Sequence, residues 1–353
     1  MARKLSFIVL ASILGAVFIS RLGEEPTALA QGARPFSSSA EYVFLTTWGS
    51  FGSEAGEFLF PSGVAVGPDG NVYVADTLNS RIQVFTAAGV FLRQVGTTGG
   101  GTGEGELNQP AAVAQDAAGD IYVADTQNHR IQVFTANGVY RWLWGGWGVG
   151  EGQFKEPYGL AIGNGNADRS DPQVYVADKN NSRIQVFSRM GTFLGSWGGR
   201  GDGEGYFNWP SGVLIGSDDN IYVADTYNHL IQVLTPEGSF VRQWGERGSG
   251  DRQFDHPSGL AAGPDGQIFV VDQDNSRIQF FSPSGSFLGK WGSAGSDPGQ
   301  FDWPSTTAVG ADGKVYVADT RNHRIQVFQR QERHATFLPL LLRVRPASFP
   351  AGR

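Results

Sequence analysis

The chain has 353 residues, of which 40% are hydrophobic, 17% are charged and 50 are glycine, a composition that can bury a large core and favours a turn-rich β protein. The net charge is -7, and we expect no nucleic acid partner, because phosphate binding needs clustered positive charge. Cysteine is absent, which excludes thiolate catalysis, cysteine zinc sites and disulfides.

The N-terminal segment has the pattern of an export signal. Arg3 and Lys4 precede an apolar run over 5–19, and Thr-Ala-Leu-Ala at 27–30 offers a small-residue cleavage site. The polar stretch 21–25 leaves an uncleaved anchor as the alternative, although the apolar run is shorter than the roughly 20 residues that span a membrane. We predict a signal peptide or anchor over 1–30, a flexible leader over 31–41, and a secreted or extracytoplasmic protein.

From residue 42 the chain repeats one unit six times. In the first copy the segments 60–66 and 71–76 flank an Asp-Gly turn, and the segments 81–85 and 90–95 follow, which predicts a four-stranded antiparallel meander. The middle strands are apolar on both faces, so each sheet must be covered on both sides. The repeat length of 47 to 53 residues fits one propeller blade. We therefore predict an all-β, six-bladed β-propeller over 42–330.

The two ends of the repeat region complete one blade. The last unit has three strands up to Phe328, and the segment 42–49 matches the fourth strands of the other units. We predict that this N-terminal strand joins the last blade and closes the ring. An alternative fourth strand lies at 337–342, but Pro339 disfavours it because proline cannot donate to a ladder. The remaining segment, 331–353, is interpreted as a C-terminal tail that either docks or is mobile.

The turn of the fourth unit reads Asn228-His229-Leu230, the tripeptide after which the NHL repeat family is named. The other five turns read Asn-Ser-Arg or Asn-His-Arg, and the Pro-x-Gly openings and Trp-Gly connectors also resemble that family. The resemblance covers 42–328 and implies the propeller fold. Within the family, the chain is similar to the exported bacterial NHL proteins. It implies no single function, because the scaffold hosts ligase recognition domains, RNA binders, lyases and extracellular proteins. The ligase type needs a cysteine-rich zinc module, which a chain without cysteine cannot form.

Acidic and basic residues recur at fixed positions of the repeat. An aspartate ends the second strand of every unit and an arginine opens the third strand of five, so the two can pair across the turn between them. Residues repeated in every unit are predicted to build the fold, since catalysis needs one asymmetric constellation. In the fourth unit Leu230 replaces the arginine opposite Asp225. The predicted structural residues are Asp76, Asp125, Asp178, Asp225, Asp272, Asp319, Arg81, Arg130, Arg183, Arg277 and Arg324.

The sequence favours no metal or cofactor. His129, His229 and His323 share one turn position, which we place toward the rim, too far apart for the histidines to hold one zinc ion. Amidating lyase propellers carry their zinc histidines directly after the proline that opens each inner strand, and no histidine stands there in this chain, where the residues are Ser62, Ala111, Tyr158, Ser211, Ser258 and Ser305. Further along the inner strands, where lactonase propellers place calcium ligands, only Gln115 and Thr307 carry an oxygen side chain, too few for a calcium site. We predict no catalytic residue and no metal site, with calcium at the insertion 164–172 as the alternative.

The glycine-rich connectors that precede each unit's first strand are the remaining candidate. They are 49–60, 96–109, 145–156, 198–209, 245–256 and 292–303, and we expect them to be flexible and to share one face with the Asn-bearing turns. Aromatic rings beside polar groups suit carbohydrate or peptide capture. The candidate binding face comprises Trp147, Arg200, Tyr206, Trp209, Tyr227, Arg247, His256 and Trp303.

A competing interpretation is that most of these rings seal gaps between blades, above all Trp144, Trp197, Trp244 and Trp291. On balance the sequence predicts an exported, monomeric, non-enzymatic module that binds a protein or carbohydrate ligand. The alternative is a propeller hydrolase or lyase with an atypical metal site near the central channel.

Overall fold

The computed structural model describes residues 41–97, 99–163 and 172–331. Within them the strands form six four-stranded antiparallel sheets, which are the blades of a propeller ring, so the predicted all-β, six-bladed fold is confirmed. The predicted signal segment 1–30, the leader up to residue 40, the insertion 164–171 and the tail from 332 lie outside the described residues. In the described part of the chain no helix is long and apolar enough to cross a bilayer.

Each blade is a meander whose first strand lies innermost, because the first strands line the central cavity. The described part of the chain starts with the outer strand of blade six and then passes through blades one, two and three. These strands are β1 (Glu41–Trp48); β2 (Pro61–Val66), β3 (Val72–Asp76), β4 (Arg81–Phe85) and β5 (Phe91–Val95); β6 (Ala112–Gln115), β7 (Ile121–Asp125), β8 (Arg130–Phe134) and β9 (Tyr140–Gly145); and β10 (Pro157–Ile162), β11 (Gln173–Asp178), β12 (Arg183–Ser188) and β13 (Phe193–Gly198).

Blades four, five and six follow in the same order. Their strands are β14 (Pro210–Ile215), β15 (Ile221–Asp225), β16 (Leu230–Leu234) and β17 (Phe240–Trp244); β18 (Pro257–Ala262), β19 (Ile268–Asp272), β20 (Arg277–Phe281) and β21 (Phe287–Trp291); and β22 (Pro304–Val309), β23 (Val315–Asp319) and β24 (Arg324–Gln331). Short 3₁₀ turns join the second and third strands in five blades, at Thr77–Asn79, Thr126–Asn128, Lys179–Asn181, Thr226–Asn228 and Thr320–Asn322.

The two ends of the described chain close the ring. Strand β1 pairs with β24 in antiparallel register from Glu41 opposite Gln331 to Trp48 opposite Ile325, so the predicted closure is confirmed. The Tyr42 ring is buried against blade five, stacked on Trp291 at a centroid distance of 4.8 Å. Opening the ring of blades therefore breaks the β1–β24 hydrogen bonds and also exposes the Tyr42 side chain.

The hydrophobic core is divided among the interfaces between blades. One cluster joins Val72 and Val74 of blade one to Tyr316 and Val327 of blade six, and each of the other interfaces has a cluster of the same kind. Four inner strands approach the next one closely because a glycine is their third residue: Gly63, Gly159, Gly212 and Gly259. A Cβ on Gly159 would lie 2.0 Å from the Ser211 carbonyl oxygen of the next blade. Each blade thus depends on its two neighbours for burial of its faces.

A buried aspartate at the end of the second strand binds three parts of each blade. In blade two, Asp125 Oδ1 accepts the backbone N–H of Asn108 in the connector at 2.7 Å. Asp125 Oδ2 accepts bonds from Arg130 Nε at 2.7 Å, Gln132 Nε2 at 2.9 Å and Asn128 Nδ2 at 2.9 Å. Five of the six aspartates pair with an arginine in this way, at 2.6 to 2.8 Å. The six equivalent, fully buried aspartates are Asp76, Asp125, Asp178, Asp225, Asp272 and Asp319.

The same side chains fasten the connectors to the blades. Asn128 Nδ2 also donates to the Gly101 carbonyl at 2.7 Å, and Arg130 donates to the Gly103 carbonyl at 2.7 Å. Gln132 donates to the Glu106 carbonyl at 2.5 Å. Equivalent asparagine bonds hold the connectors of the other five blades. The glycine-rich connectors are therefore fixed, contrary to the expectation that they are flexible, because buried side chains satisfy their carbonyl groups.

Blade four lacks one member of this network. Asp225 accepts bonds from the Asn208 backbone, Asn228 and Gln232, but Leu230 supplies no cation. Burial raises the pKa of Asp225 to about 6, and the three hydrogen bonds only partly oppose that rise. Since the folded pKa lies above the ordinary value of 3.8, Asp225 contributes a loss of stability that develops as the pH rises from 3.8 to about 6 and is complete above pH 6.

Replacing Tyr42 by alanine should lower the free energy of unfolding by about 3–5 kcal/mol, because a buried ring leaves the closing interface. Urea unfolding of Tyr42→Ala checks this. The control is Val43→Ala on the same strand, whose side chain is 37% exposed and should cost less than about 1 kcal/mol. Equal effects of the two substitutions would contradict a specific role of Tyr42 in closure.

Leu230→Arg should stabilise the protein by about 1–3 kcal/mol above pH 6, because it supplies the missing partner of Asp225. The gain should shrink as the pH falls from 6 toward 4, where Asp225 becomes protonated in the folded wild type. Urea unfolding at pH 7.5 and pH 4.5 measures both values.

The matched control is Arg183→Leu, which creates the same gap beside Asp178 in blade three. It should destabilise the protein by about 3–5 kcal/mol at pH 7.5 and by less at pH 4.5. A Leu230→Arg gain that did not depend on pH would show that Asp225 is not the group responsible.

Candidate functional site

The connectors and the Asn-bearing turns share one end of the ring, which we call the connector face. Each turn packs on its connector through the asparagine bond described above and through a backbone bond, such as Gln127 N–H to the Asn108 carbonyl at 3.1 Å. Each connector ends at the start of an inner strand, so this face surrounds one mouth of the central cavity. Residues that differ among the blades on this face are the ones that can give the ring a specific site.

The three turn histidines link neighbouring blades. His129 Nδ1 accepts the backbone N–H of Glu156 at 3.1 Å, and His229 and His323 accept those of His256 and Phe60, each at 3.2 Å. Burial lowers the pKa of His229 and His323, which keeps their imidazoles neutral and able to accept. Their partners immediately precede inner strands, so these turns lie beside the cavity mouth. The prediction that they lie toward the rim is therefore wrong, because each histidine reaches across to the neighbouring blade.

Six residues with positive φ stand directly before the prolines that open the inner strands or, in blade two, Pro110. Their φ angles lie between 47° and 56°, a left-handed conformation that is costly for residues other than glycine. The position is the same in every blade, yet its side chains differ in size, charge and aromaticity. They are Phe60, Gln109, Glu156, Trp209, His256 and Trp303.

Three predicted residues meet on this face across blades four and five. The Tyr227 ring lies edge-on to Trp209 and to His256, with centroid distances of 4.8 Å in both contacts. Trp209 is 38% exposed and Tyr227 is 46% exposed. We call Trp209, Tyr227 and His256 the aromatic ledge. It offers a continuous row of partly exposed rings at one side of the cavity mouth.

Carboxylates flank the His256 end of the aromatic ledge. His256 Nδ1 lies 2.8 Å from Asp274 Oδ2 and 3.1 Å from Asp255 Oδ1. When Nδ1 carries the proton it donates to these carboxylates, which leaves Nε2 as an acceptor for a ligand hydroxyl or amide. Arg247 Nε lies 4.0 Å from Asp255 at the edge of the group. The arrangement supplies hydrogen-bonding groups beside the exposed rings.

The other predicted residues do not join the aromatic ledge. Arg200 and Tyr206 lie in the same connector as Trp209, with Tyr206 more than half exposed. Trp147 lies in the connector before blade three, beneath Lys155 Nζ at 5.3 Å, and Trp303 lies in the connector before blade six, beneath Arg321 at 3.8 Å. The structure therefore divides the predicted face into the aromatic ledge and separate exposed rings on other blades.

The tryptophans of the Trp-Gly pairs pack between blades. The Trp144 ring packs on Phe187 of blade three with a centroid distance of 5.6 Å, and the Trp244 ring packs on Phe281 of blade five with a centroid distance of 5.7 Å. Trp291 contacts Phe328 of blade six at 5.5 Å, and Trp197 packs in the cluster between blades three and four. These four rings stabilise the ring of blades and are not free to bind a ligand.

Sequence reasoning missed two residues of blade three. Lys179 stands where four other blades carry a threonine, whose hydroxyl donates to the proline carbonyl that opens the next inner strand at 2.8 to 3.0 Å. Its Nζ lies 4.3 Å from the Tyr158 ring centroid and 5.2 Å from that of Trp209. Tyr158 in turn stands where Ser62, Ser211, Ser258 and Ser305 are found. The departure from the repeat at each position was the available signal.

The central cavity has a volume of about 480 Å³. Its wall is built from the inner strands, and most of the lining side chains are Ala, Val, Leu and Ile. The two polar residues singled out from the sequence bond within their own blade: Gln115 donates to the Gly119 carbonyl at 3.1 Å and Thr307 to the Tyr316 carbonyl at 3.1 Å. The wall therefore combines aliphatic side chains, against which a hydrocarbon can pack, with exposed polar groups.

Among the residues that the structure describes, His229, Asp255 and His256 form a possible metal-binding group, whose ligand atoms lie within 4.8 Å of one another. However, His229 Nδ1 already accepts the His256 backbone N–H, and His256 Nδ1 contacts Asp274. A zinc ion would have to use the Nε2 atoms or displace those bonds. The candidate calcium insertion, 164–172, lies outside the described residues except for Pro172.

The NHL repeat family model matches five segments of the chain, one in each blade except the third. They are 58–85, 107–134, 207–234, 254–281 and 301–328. Blade three carries the insertion, and its strands pair in the same order as those of the matched blades.

Two curated proteins contain similar segments. The chain is 44% identical over 57 residues to "Protein brain tumor" of Drosophila melanogaster, and 49% identical over 49 residues to "B-box type zinc finger protein ncl-1" of Caenorhabditis elegans. These matches cover 16% and 14% of this chain and 6% of each relative. The chain thus matches only a small part of the length of these relatives.

Solved structures with the same fold cover much more of the chain. A streptogramin B lyase aligns with a TM-score of 0.54 at 15% identity, covering 83% of this chain and 97% of the lyase. An auxiliary nutrient binding protein from Bacteroides thetaiotaomicron aligns with a TM-score of 0.61 at 12% identity, covering 83% of this chain and 77% of that protein. Such low identities show a shared fold alone. With its repeated Asn-x-Arg or Asn-His-Leu turns, five matching segments and six four-stranded blades, the chain belongs to the NHL repeat family of β-propellers.

Proposed function

We propose that this protein is an exported, non-enzymatic binding module that takes a protein or glycan ligand on its connector face. The observation that carries the proposal is the aromatic ledge of Trp209, Tyr227 and His256. Its rings touch one another and remain partly exposed on connectors that the buried aspartate network holds in place. Rings on a rigid support lose little conformational entropy when a ligand binds.

A glycan fits the aromatic ledge best. Sugar rings combine apolar C–H faces, which pack on aromatic rings, with hydroxyl groups that need donors and acceptors. The imidazole of His256 and the carboxylates of Asp274 and Asp255, which lie 2.8 and 3.1 Å from its Nδ1, provide such groups at one end of the ledge. The acidic net charge of -7 agrees with an uncharged ligand rather than a polyanion.

Export and the absence of catalysis rest on different observations. The export proposal relies on the signal-like sequence over 1–30. The binding role is consistent with a structural relative that is named a nutrient binding protein. The non-enzymatic role relies on the uniform repeat, because the titratable aspartates recur in every blade and hold the connectors.

A second candidate function is a metal-dependent lyase or hydrolase, and the group of His229, Asp255 and His256 favours it. A structural relative is a lyase, although the resemblance shows only the fold. Elemental analysis of the purified protein distinguishes the candidates. Less than 0.1 equivalent of zinc or calcium agrees with the binding module, and one equivalent that is lost in a His256→Ala variant supports the enzyme.

Tyr227→Ala should weaken glycan binding at least tenfold, because a partly exposed ring at the centre of a binding site contributes about 2 kcal/mol or more. A glycan array and a peptide array identify the best ligand, and titration calorimetry then compares the variants. The matched control is Leu78→Ala, since Leu78 occupies the same turn position in blade one with nearly the same exposure.

Retention of full affinity by Tyr227→Ala would exclude the aromatic ledge as the site. Binding of peptides but no glycans would redirect the proposal to a protein partner, and failure of both arrays would overturn the binding module.

A further inference from the structure

Lys179 places an ammonium on the connector face at a turn position where no other blade has a lysine. Within the described ranges it has no carboxylate within 4.0 Å and no hydrogen bond to protein. It lies instead over Tyr158 and Trp209, at 4.3 and 5.2 Å from their ring centroids. Two aromatic rings stabilise a cation, but they do not satisfy its three donors. The ammonium is therefore available to bind an anion.

The position is one where the fold does not require a lysine. Thr77, Thr126, Thr226 and Thr320 occupy it in four other blades and donate to the next blade's proline carbonyl. Lysine gives up that bond between blades and places a charge beside two rings instead. A substitution that costs a structural bond and partly buries a charge is explained if the charge has a ligand.

Tyr158 connects the charge to the central cavity. The Lys179 ammonium lies over the ring of Tyr158. Tyr158 is the second residue of β10 and lines the cavity, which has a volume of about 480 Å³. The cavity wall below it consists mainly of aliphatic side chains. A volume of this size and lining is typical of small-molecule sites. An apolar group can thus enter the cavity while a negatively charged end stays at the mouth.

We infer that Lys179 and the central cavity bind a small aliphatic carboxylate, with the hydrocarbon in the cavity and the carboxylate on the Lys179 ammonium. A singly charged anion matches one lysine. Glu156 disfavours a more highly charged one, because it precedes β10 and lies close enough to act on Lys179 electrostatically. This site is separate from the glycan site of the aromatic ledge, although Trp209 borders both.

Protonation of the ligand-binding group sets a pH range for the site. Burial lowers the pKa of Lys179 from its ordinary value of 10.5, and Glu156 partly opposes that shift. The ammonium that would bind the carboxylate is therefore lost at a lower pH than for a solvent-exposed lysine. Tyr158, whose ring lies against the ammonium, has a pKa that is raised by burial, so its phenol stays neutral in this range.

Titration calorimetry with octanoate tests the inference on the whole protein at pH 7. Wild type should bind one octanoate per chain, and neither acetate, which lacks the hydrocarbon, nor octanol, which lacks the charge, should bind within tenfold of that affinity. Lys179→Thr should weaken octanoate binding at least tenfold and should fold well, because it restores the residue of the four other blades. Lys179→Met keeps a long side chain between the rings without the charge and should lose binding equally.

Two further results decide the matter. Leu78→Ala, at the equivalent turn position of blade one, should leave octanoate affinity unchanged and serves as the control. Octanoate binding should also weaken as the pH is raised from 7 to 10. Absence of octanoate binding to wild type, or equal binding by Lys179→Thr, would overturn the inference, and equal binding of octanol would show that the cavity takes hydrocarbon without using Lys179.

Discussion

The buried aspartate at the end of each second strand is the interaction on which the propeller depends. One carboxylate joins the connector backbone, the turn asparagine and two side chains of the third strand, so it fixes the connector face of its blade. Loss of the arginine leaves the buried carboxylate with hydrogen bonds but no counter-charge, as at Asp225, so each partner adds to the stability of the group. The hydrophobic interfaces hold the blades to one another, and the aspartate network turns their glycine-rich connectors into a rigid platform.

The sequence predicted most of the fold, because a unit with apolar middle strands, repeated six times, has few other ways to bury both faces of its sheets. It also predicted ring closure, since residues 42–49 match the fourth strands of other blades. It failed where long-range bonds decide: glycine content suggested flexible connectors, while Gln132 and Arg130 hold them. Of the predicted binding face, Trp209, Tyr227 and His256 meet, but no pattern could show which connectors would lie together. Lys179 and Tyr158 were missed because each is a single departure from a repeat.

Departures from the repeat concentrate in blades three, four and five. Lys179 and Tyr158 lie at the cavity mouth, the aromatic ledge runs from Trp209 to His256, and Leu230 leaves Asp225 without its cation. Several of these residues give up a stabilising contact that the other blades keep. This is the expected pattern when a repeat protein uses common residues for architecture and a few altered positions for recognition. At one position of the repeat, most blades then carry a residue that stabilises the fold, and one blade carries a residue for recognition.

A chain in which the altered positions are returned to the residues of other blades tests this separation most directly. The variant Tyr158→Ser, Lys179→Thr and Tyr227→Leu carries in blades three and four the residues that blade one has at these positions. Thermal unfolding with and without octanoate is the measurement. Our account predicts a midpoint at or above that of wild type, with no shift on adding octanoate, whereas wild type is shifted upward. A lower midpoint, or an octanoate shift equal to that of wild type, would contradict the account.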